Sequence, residues 1–223
     1  MFLGYQSYMR KAVSLLLLSW CSIMAGCGQT EQKAPVPVPY DVLSAELEKI
    51  HDVDQSVRQG FNDVKEEDRN AFFLKMRQVD SVNQLQVQKI LQQYGWLPKS
   101  KIGKKASDGL FLVVQHAPSA VIEKYLPELQ EMAQKGEASR TSAAMMEDRL
   151  LMFQGKKQMY GTQATSMNRE DGSNGIWPIA DSKNVNARRK AVGFRETVEE
   201  YAVLLNATYN PTEELLHAGR MIQ

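Results

Sequence analysis

The chain has 223 residues, of which 27 are Lys or Arg and 26 are Asp or Glu, so its formal net charge is +1. A nucleic-acid-binding domain usually carries a basic surface, and this balanced composition argues against one. The two cysteines, Cys21 and Cys27, both lie near the N-terminus. We therefore expect no nucleic-acid partner and no disulfide framework in the main part of the chain.

The N-terminal segment combines two basic residues, Arg10 and Lys11, with an apolar run from Ala12 to Ala25 that ends at Gly26-Cys27. The run is shorter than the roughly 20 residues needed to span a bilayer. It is similar to a bacterial lipoprotein signal peptide. This similarity predicts that residues 1–26 are removed and that Cys27 is lipidated and anchors the protein to a membrane of the cell envelope. Because no acidic residue directly follows Cys27, we expect the outer membrane where the cell has two.

Removal of this signal would change the chemistry available to the mature chain. It takes away Arg10 and Lys11 and no acidic residue, which leaves 25 basic and 26 acidic residues. Lipidated Cys27 would be the one remaining cysteine, so a thiol nucleophile and a cysteine-ligated metal are excluded. Three histidines remain, and none of them are four residues apart. The sequence predicts no metal site and no cofactor.

Residues 27–39 are polar and then rich in proline, with Pro35, Pro37 and Pro39 at alternate positions. Such a sequence favours the extended polyproline II conformation and is typical of a spacer. Residues 40–223 follow it, and 184 residues suffice for a single domain with a sizeable core. We therefore predict a signal (1–26), a lipidated tether (27–39) and one domain (40–223).

Apolar residues recur at helical spacing through most of this domain. The pattern predicts five helices, which cover 41–57, 67–94, 103–116, 119–135 and 141–154. The third segment is short and densely apolar, and a buried strand is the alternative reading. Glycines follow several of these segments, as is common after the last turn of a helix.

The C-terminal part shows a different pattern. Residues 158–165 and 176–180 flank a loop rich in Asn, Asp and Gly, which predicts a small β-hairpin. A long helix is predicted from Asn184 to about Asn206, and a short one after Asn210-Pro211. The predicted fold class is mainly α, a single helical domain with a small β-hairpin.

Several short motifs, taken in order, resemble those of an uncharacterised bacterial domain family. They are Gly95-Trp96-Leu97-Pro98, Ile102-Gly103, Gln115-His116-Ala117, Asp148-Arg149, the segment from Gln158 to Gln163, and Arg188-Arg189 with Gly193. The resemblance covers about Asp54 to Tyr201. Leu97 is inserted in the first motif, Pro118 replaces an Asp of the family, and Phe194 replaces a Leu. The resemblance implies a helical domain, often secreted or lipid-anchored, without an established activity.

Four polar residues on apolar segments form the candidate site. Gln115 and His116 follow Phe111 to Val114, and Asp148 and Arg149 lie among methionines and leucines. Buried polar groups need partners, because an unmet one costs about 1–3 kcal/mol. We therefore expect the four to meet, with Asp148 orienting His116 as a general base.

Four further residues are predicted to line the same pocket. Tyr160 and Gln163 come from the predicted strand, and Arg188 and Arg189 could bind an anionic group of a ligand. A purely structural network of these side chains is the alternative. Asp54 and Arg58 are spaced four apart, which predicts a solvated ion pair. Asp80 and Asn83 share a helix face and could reach the network.

Two functions remain open from the sequence. The first is a lipid-anchored envelope domain that binds an unidentified envelope ligand or protein partner without catalysis. The second is a small envelope hydrolase or lyase that uses His116 as general base oriented by Asp148. Pocket geometry separates the two readings, because an open cleft that reaches His116 favours chemistry and a sealed network favours structure.

Overall fold

The helical half of the chain is built from five helices that carry their apolar residues on one side. A computed structural model describes residues 37–60 and 64–216, which lie almost entirely in one compact unit that begins at Val38. The five helices are α1 (Tyr40–Arg58), α2 (Arg69–Tyr94), α3 (Lys99–Gln115), α4 (Ser119–Gln134) and α5 (Arg140–Phe153). All five predicted helices are present, and the 103–116 segment is helical rather than a buried strand. The predicted signal and Cys27 lie outside the described residues.

Helix α3 begins earlier than predicted. A first turn starts at Lys99 and is interrupted at Gly103, whose backbone has φ +81° and ψ 168°. This region of backbone space is accessible essentially to glycine alone. Gly103 therefore redirects the chain between the first turn and the long apolar part of α3.

Helices α1 and α3 cross at a very short distance. A Cβ atom at Gly109 would lie 2.6 Å from the carbonyl oxygen of Leu47 and 3.0 Å from the Cβ of His51. Only glycine fits this crossing. Ser44 Oγ also donates to the carbonyl of Ile102 over 2.6 Å. The two helices run in the same direction, so their C-terminal ends, Arg58 and Gln115, arrive at the same side of the domain.

The predicted hairpin is present but short. Strands β1 (Ala164–Thr165) and β2 (Gly175–Ile176) pair antiparallel. The segment before β1 is held by the buried side chain of Gln158, whose Nε2 donates to the carbonyls of Gln163 and Trp177. The side-chain amide of Gln158 thus makes hydrogen bonds that, in a longer hairpin, backbone groups of the two strands would make with each other.

The predicted long helix after Asn184 is divided in two. Helix α6 (Val185–Val192) ends at Gly193, which has φ +102°, and α7 (Val198–Leu204) begins after Thr197. Thr197 and Glu200 form a capping box that starts α7 afresh. The predicted helix after Asn210 is not formed in the described part of the chain, where the Glu213 side chain instead pairs with Arg169.

Two apolar clusters stabilise these elements. The larger joins α1 to α5 and includes Leu47, Leu110 and Ile122, none of which is exposed. The smaller lies beneath the hairpin and α7 and contains Ile176 and Val198. Among the described residues, no helix is both long and apolar enough to cross a membrane.

Candidate functional site

Asp148 is fully buried and organises the segment that follows α5. Its carboxylate accepts hydrogen bonds from the backbone N–H groups of Met159, Tyr160 and Thr162 and from the Thr162 hydroxyl, at 2.7 to 3.2 Å. These bonds replace the predicted contact of Asp148 with His116. Burial raises the pKa of Asp148 to about 6, even though the four donors favour its charged form. In this geometry Asp148 fixes the backbone of residues 159–162.

Arg188 and Arg189 also bind backbone groups. Arg188 donates to the carbonyls of Met159, Ala180 and Asp181. Arg189 is 1% exposed and donates to the carbonyls of Tyr160 and Glu196. Its guanidinium carbon lies over the rings of Phe194 and Tyr201, 4.5 and 4.8 Å from their centroids. The predicted anion-binding arginines therefore stabilise the C-terminal part of the fold.

Tyr160 is turned away from His116. It lines a separate cleft of about 480 Å³ together with Glu147 and Arg140. Burial and the nearby carboxylates of Glu147 and Asp148 raise the pKa of the Tyr160 hydroxyl. The structure therefore brings the backbone of Tyr160, but not its side chain, to the predicted residues Asp148 and Arg189.

His116 lies where α1, α2 and α3 converge. Its Nδ1 is 3.4 Å from Oδ1 of Asp54 and 2.9 Å from Nη2 of Arg58. Arg58 in turn contacts Asp54 over 2.9 Å and Asp80 over 2.7 Å. Asp54 is 1% exposed, so the carboxylate of the Asp54–Arg58 pair is buried, whereas a solvated pair was predicted. We call these four residues the His116 cluster.

Both contacts of His116 use the same ring nitrogen. A guanidinium can only donate and a carboxylate can only accept. When Nδ1 of a neutral His116 accepts a hydrogen bond from Arg58, the ring proton is on Nε2. When Nδ1 carries the proton, it donates to Asp54 and can no longer accept from Arg58. The His116 cluster thus has two alternative hydrogen-bond arrangements.

Charge within the cluster controls the carboxylate of Asp54. Burial alone would raise the pKa of Asp54, but the hydrogen bond and charge of His116 and the charge of Arg58 together hold it below its ordinary value. These interactions favour the charged form of Asp54 at the C-terminal end of α1.

A second set of predicted residues meets in a cleft between α3, α5 and the hairpin. The cleft has a volume of about 310 Å³, and its polar lining includes Gln115, His116, Arg149 and Gln163. Arg149 Nη1 donates to Oε1 of Gln163 over 3.2 Å. The structure thus brings together three of the four residues of the predicted network, and Gln163 with them. We call this space the Gln115 cleft.

Two polar atoms of the Gln115 cleft are buried without a hydrogen-bond partner in the described part of the chain. They are Oε1 of Gln115, a residue 4% exposed, and Nε of Arg149. Burial lowers the pKa of Arg149, the positive charge of Arg58 lowers it further, and the charge of Asp80 acts in the opposite direction. An acceptor on α3 and a donor on α5 are therefore both unpaired in side chains that line the cleft.

A larger cleft of about 610 Å³ opens on the other side of His116. Arg77, Asp80, Gln84 and Phe153 contribute to its lining. Because His116 lines both clefts, its ring lies between them, and 24% of its side-chain surface is exposed.

Sequence reasoning missed Asp54 and Arg58 as members of the site, whereas it named Asp80 as a residue that could reach the network. A signal for Asp54 existed, because the buried residues of α1 are Leu43, Leu47, Ile50, Asp54 and Val57. Asp54 continues this alternating spacing of four and three residues, whereas the neighbouring Val53 is 46% exposed. A carboxylate at a buried helical position indicates a partner, and here the partners are Arg58 and His116.

Comparisons with known proteins give a family without an activity. A family model described as a family of unknown function (DUF6624) matches residues 41–212, so the chain belongs to this family. No curated protein matches the chain, and no solved structure matches it. The expected membership of an uncharacterised domain family is confirmed.

Proposed function

We propose that this member of the family is a ligand-binding domain of the cell envelope, and that its ligand is a small polar molecule bound in the Gln115 cleft. A volume of about 310 Å³ lies at the lower end of the range for small-molecule sites. The lining combines apolar side chains, such as Phe111 and Leu205, with a few polar ones. This composition is typical of sites that recognise a ligand by a small number of directed hydrogen bonds.

The observation that carries this proposal is the pair of unpartnered atoms, Gln115 Oε1 and Arg149 Nε. Each buried polar atom without a partner costs about 1–3 kcal/mol. Because both atoms are buried, the two side chains would have to turn toward the cleft, and a ligand with a donor for Gln115 and an acceptor for Arg149 would then remove both costs. An amide or a carboxylate next to an N–H group has this combination.

A ligand-observed NMR screen tests the proposal. The full chain, purified in detergent, is mixed with small amides, carboxylates and amino acids, and saturation transfer to each compound is measured. We expect compounds that carry both groups to bind, and Arg149→Lys to abolish that binding because the lysine lacks the Nε–H. Arg140→Lys, at an exposed position of α5 outside this cleft, is the matched control. Equal binding by both variants would contradict the proposal.

Membrane attachment through Cys27 is the second part of the proposal. It is supported by the short apolar run after Arg10-Lys11 and the small residues before Cys27. The tether of residues 27–39 would hold the domain away from the membrane surface, and the absence of an acidic residue after Cys27 favours the outer membrane. Cys27→Ser should stop incorporation of labelled fatty acid, while labelled Cys27→Ser protein would disprove the anchor.

An envelope hydrolase or lyase is the second candidate function. The observation that favours it is the position of His116 between the two clefts, with part of its ring exposed. The orienting carboxylate in this reading is Asp54 rather than the predicted Asp148. As general base, His116 would use the arrangement with Nδ1–H directed at Asp54, which frees the Nε2 lone pair. Turnover of chromogenic ester or amide substrates that is lost in a folded His116→Gln variant would support this function.

A further inference from the structure

Three side chains of the His116 cluster have the composition of a metal site. Asp54, Asp80 and His116 each offer one ligand atom, and these atoms all lie within 4.8 Å of one another. They come from α1, α2 and the end of α3, so the short α1–α3 crossing at Gly109 helps to bring them together. The sequence predicted no metal site, because it offers no cysteine ligand after the signal and no two histidines four residues apart.

These three ligand atoms already surround a cation in the structure. The guanidinium of Arg58 contacts Asp54, Asp80 and His116 at 2.9, 2.7 and 2.9 Å. Its single charge is shared between two carboxylates. A divalent ion at the same place would carry enough charge for both, and it would accept the Nδ1 lone pair that Arg58 now uses.

We propose that Asp54, Asp80 and His116 form a binding site for a divalent transition-metal ion, which takes the place of the Arg58 guanidinium. One imidazole nitrogen and two carboxylate oxygens suit Zn²⁺, Mn²⁺ or Fe²⁺ better than Ca²⁺, which prefers oxygen ligands alone. Three protein ligands leave coordination positions for water or a bound molecule. This inference does not depend on the ligand proposed for the Gln115 cleft.

Arg58 is placed to leave the site. It is the last residue of α1, and its side chain is 21% exposed, whereas Asp54 is 1% exposed. A long side chain at a helix end can reach water while the buried carboxylate cannot. Arg58 therefore acts as an internal competitor that keeps Asp54 paired when no metal ion is bound.

An entry path is also present. Asp80 and His116 both line the cleft of about 610 Å³, which is open to solvent. Two of the three ligands are thus reached from this cleft without passing through the apolar core.

Isothermal titration calorimetry of the full chain in detergent, after treatment with EDTA, tests the site with ZnCl₂ and MnCl₂ as probes. We expect Asp80→Asn and His116→Gln each to weaken binding by at least about tenfold, as loss of a supporting or direct ligand does in metal sites. His51→Gln is the matched control, because the His51 side chain is also 24% exposed and also lies beside an aspartate, Asp52. The His51→Gln variant should bind Zn²⁺ and Mn²⁺ with the affinity of the wild type.

Arg58→Met gives the result that an adventitious surface site would not give. Removal of the competing cation should tighten Zn²⁺ binding, and Zn²⁺ should raise the melting temperature more in this variant than in the wild type. Arg58→Lys, which keeps a charge with a shorter reach, serves if Arg58→Met does not fold. Unchanged affinity in His116→Gln, or weaker binding after substitution of Arg58, would overturn the proposal.

Discussion

The Arg58 guanidinium lies 2.9 Å from the imidazole Nδ1 of His116, so two side chains that are usually cationic partners of carboxylates contact each other. This contact is possible because a neutral imidazole nitrogen can accept from an N–H donor. Asp54 and Asp80 supply the negative charge that keeps Arg58 at this position. The end of α3 is therefore tied to α1 and α2 through one guanidinium.

Arg58→Met should destabilise the fold, because it leaves Asp54 buried without its cation. Loss of one partner from a buried pair costs about 3–5 kcal/mol, and partial exposure of Arg58 places this pair at the lower end. Urea unfolding followed by circular dichroism measures the effect. Arg69→Met is the control, since Arg69 pairs with the largely exposed Glu66 and should lose at most about 1 kcal/mol. Equal losses in the two variants would show that Asp54 does not depend on Arg58.

Asp148→Ala should destabilise the domain more than any exposed aspartate would. The substitution leaves three backbone N–H groups and the Thr162 hydroxyl without their acceptor. At about 1–3 kcal/mol for each unmet group, partly relieved by entering water, we expect a loss of at least about 3 kcal/mol. Asp108→Ala, which removes an exposed pair with Lys104, should change stability by less than about 1 kcal/mol. A small effect of Asp148→Ala would mean that residues 159–162 hold their conformation without it.

Stability should also depend on pH through Asp148. Its pKa is about 6 in the folded chain, and that of an unfolded aspartate is about 3.9. As the pH rises through this interval the unfolded chain releases its proton first, so the folded state binds more protons and its stability falls. The fall should reach up to about 3 kcal/mol between pH 4 and 6 and then stop.

The reference for this measurement is Asp148→Asn, which cannot titrate. Asp54, whose pKa is lowered, contributes the opposite trend at low pH in both proteins, so the difference between the two profiles isolates Asp148. A difference that stays constant from pH 4 to 7 would contradict the raised pKa.

The helices follow from the sequence because their apolar spacing is local information. The burial of Asp148 also follows from the apolar residues around it in its helix. Its partners cannot be predicted in this way, because they are the backbone N–H groups of Met159, Tyr160 and Thr162, and every residue type except proline has such a group. The His116 cluster depends on residues 22 to 62 positions apart, Arg58 with Asp80 and Asp54 with His116. These contacts arise from the packing of α1 against α2 and α3, which a periodic pattern does not contain.

The division between α6 and α7 shows the opposite case. Gly193 at the end of α6 and the Thr197–Glu200 capping box are both local signals. The break between the two helices was therefore predictable from the sequence, and the single helix predicted from Asn184 to about Asn206 is wrong.

Unfolding and binding of Gln115→Met, measured on the same protein, test the central claim most directly. Methionine keeps the length of the side chain and removes the unpartnered Oε1. The carbonyl of Met145 still accepts a hydrogen bond from the side-chain amide of Gln163. The account predicts that the free energy of unfolding stays equal or rises by about 1 kcal/mol, and that compounds bound by the wild type no longer show saturation transfer. A Gln115→Met protein that is clearly less stable, or that binds those compounds as before, would contradict the claim that the unpaired Oε1 of Gln115 serves a ligand.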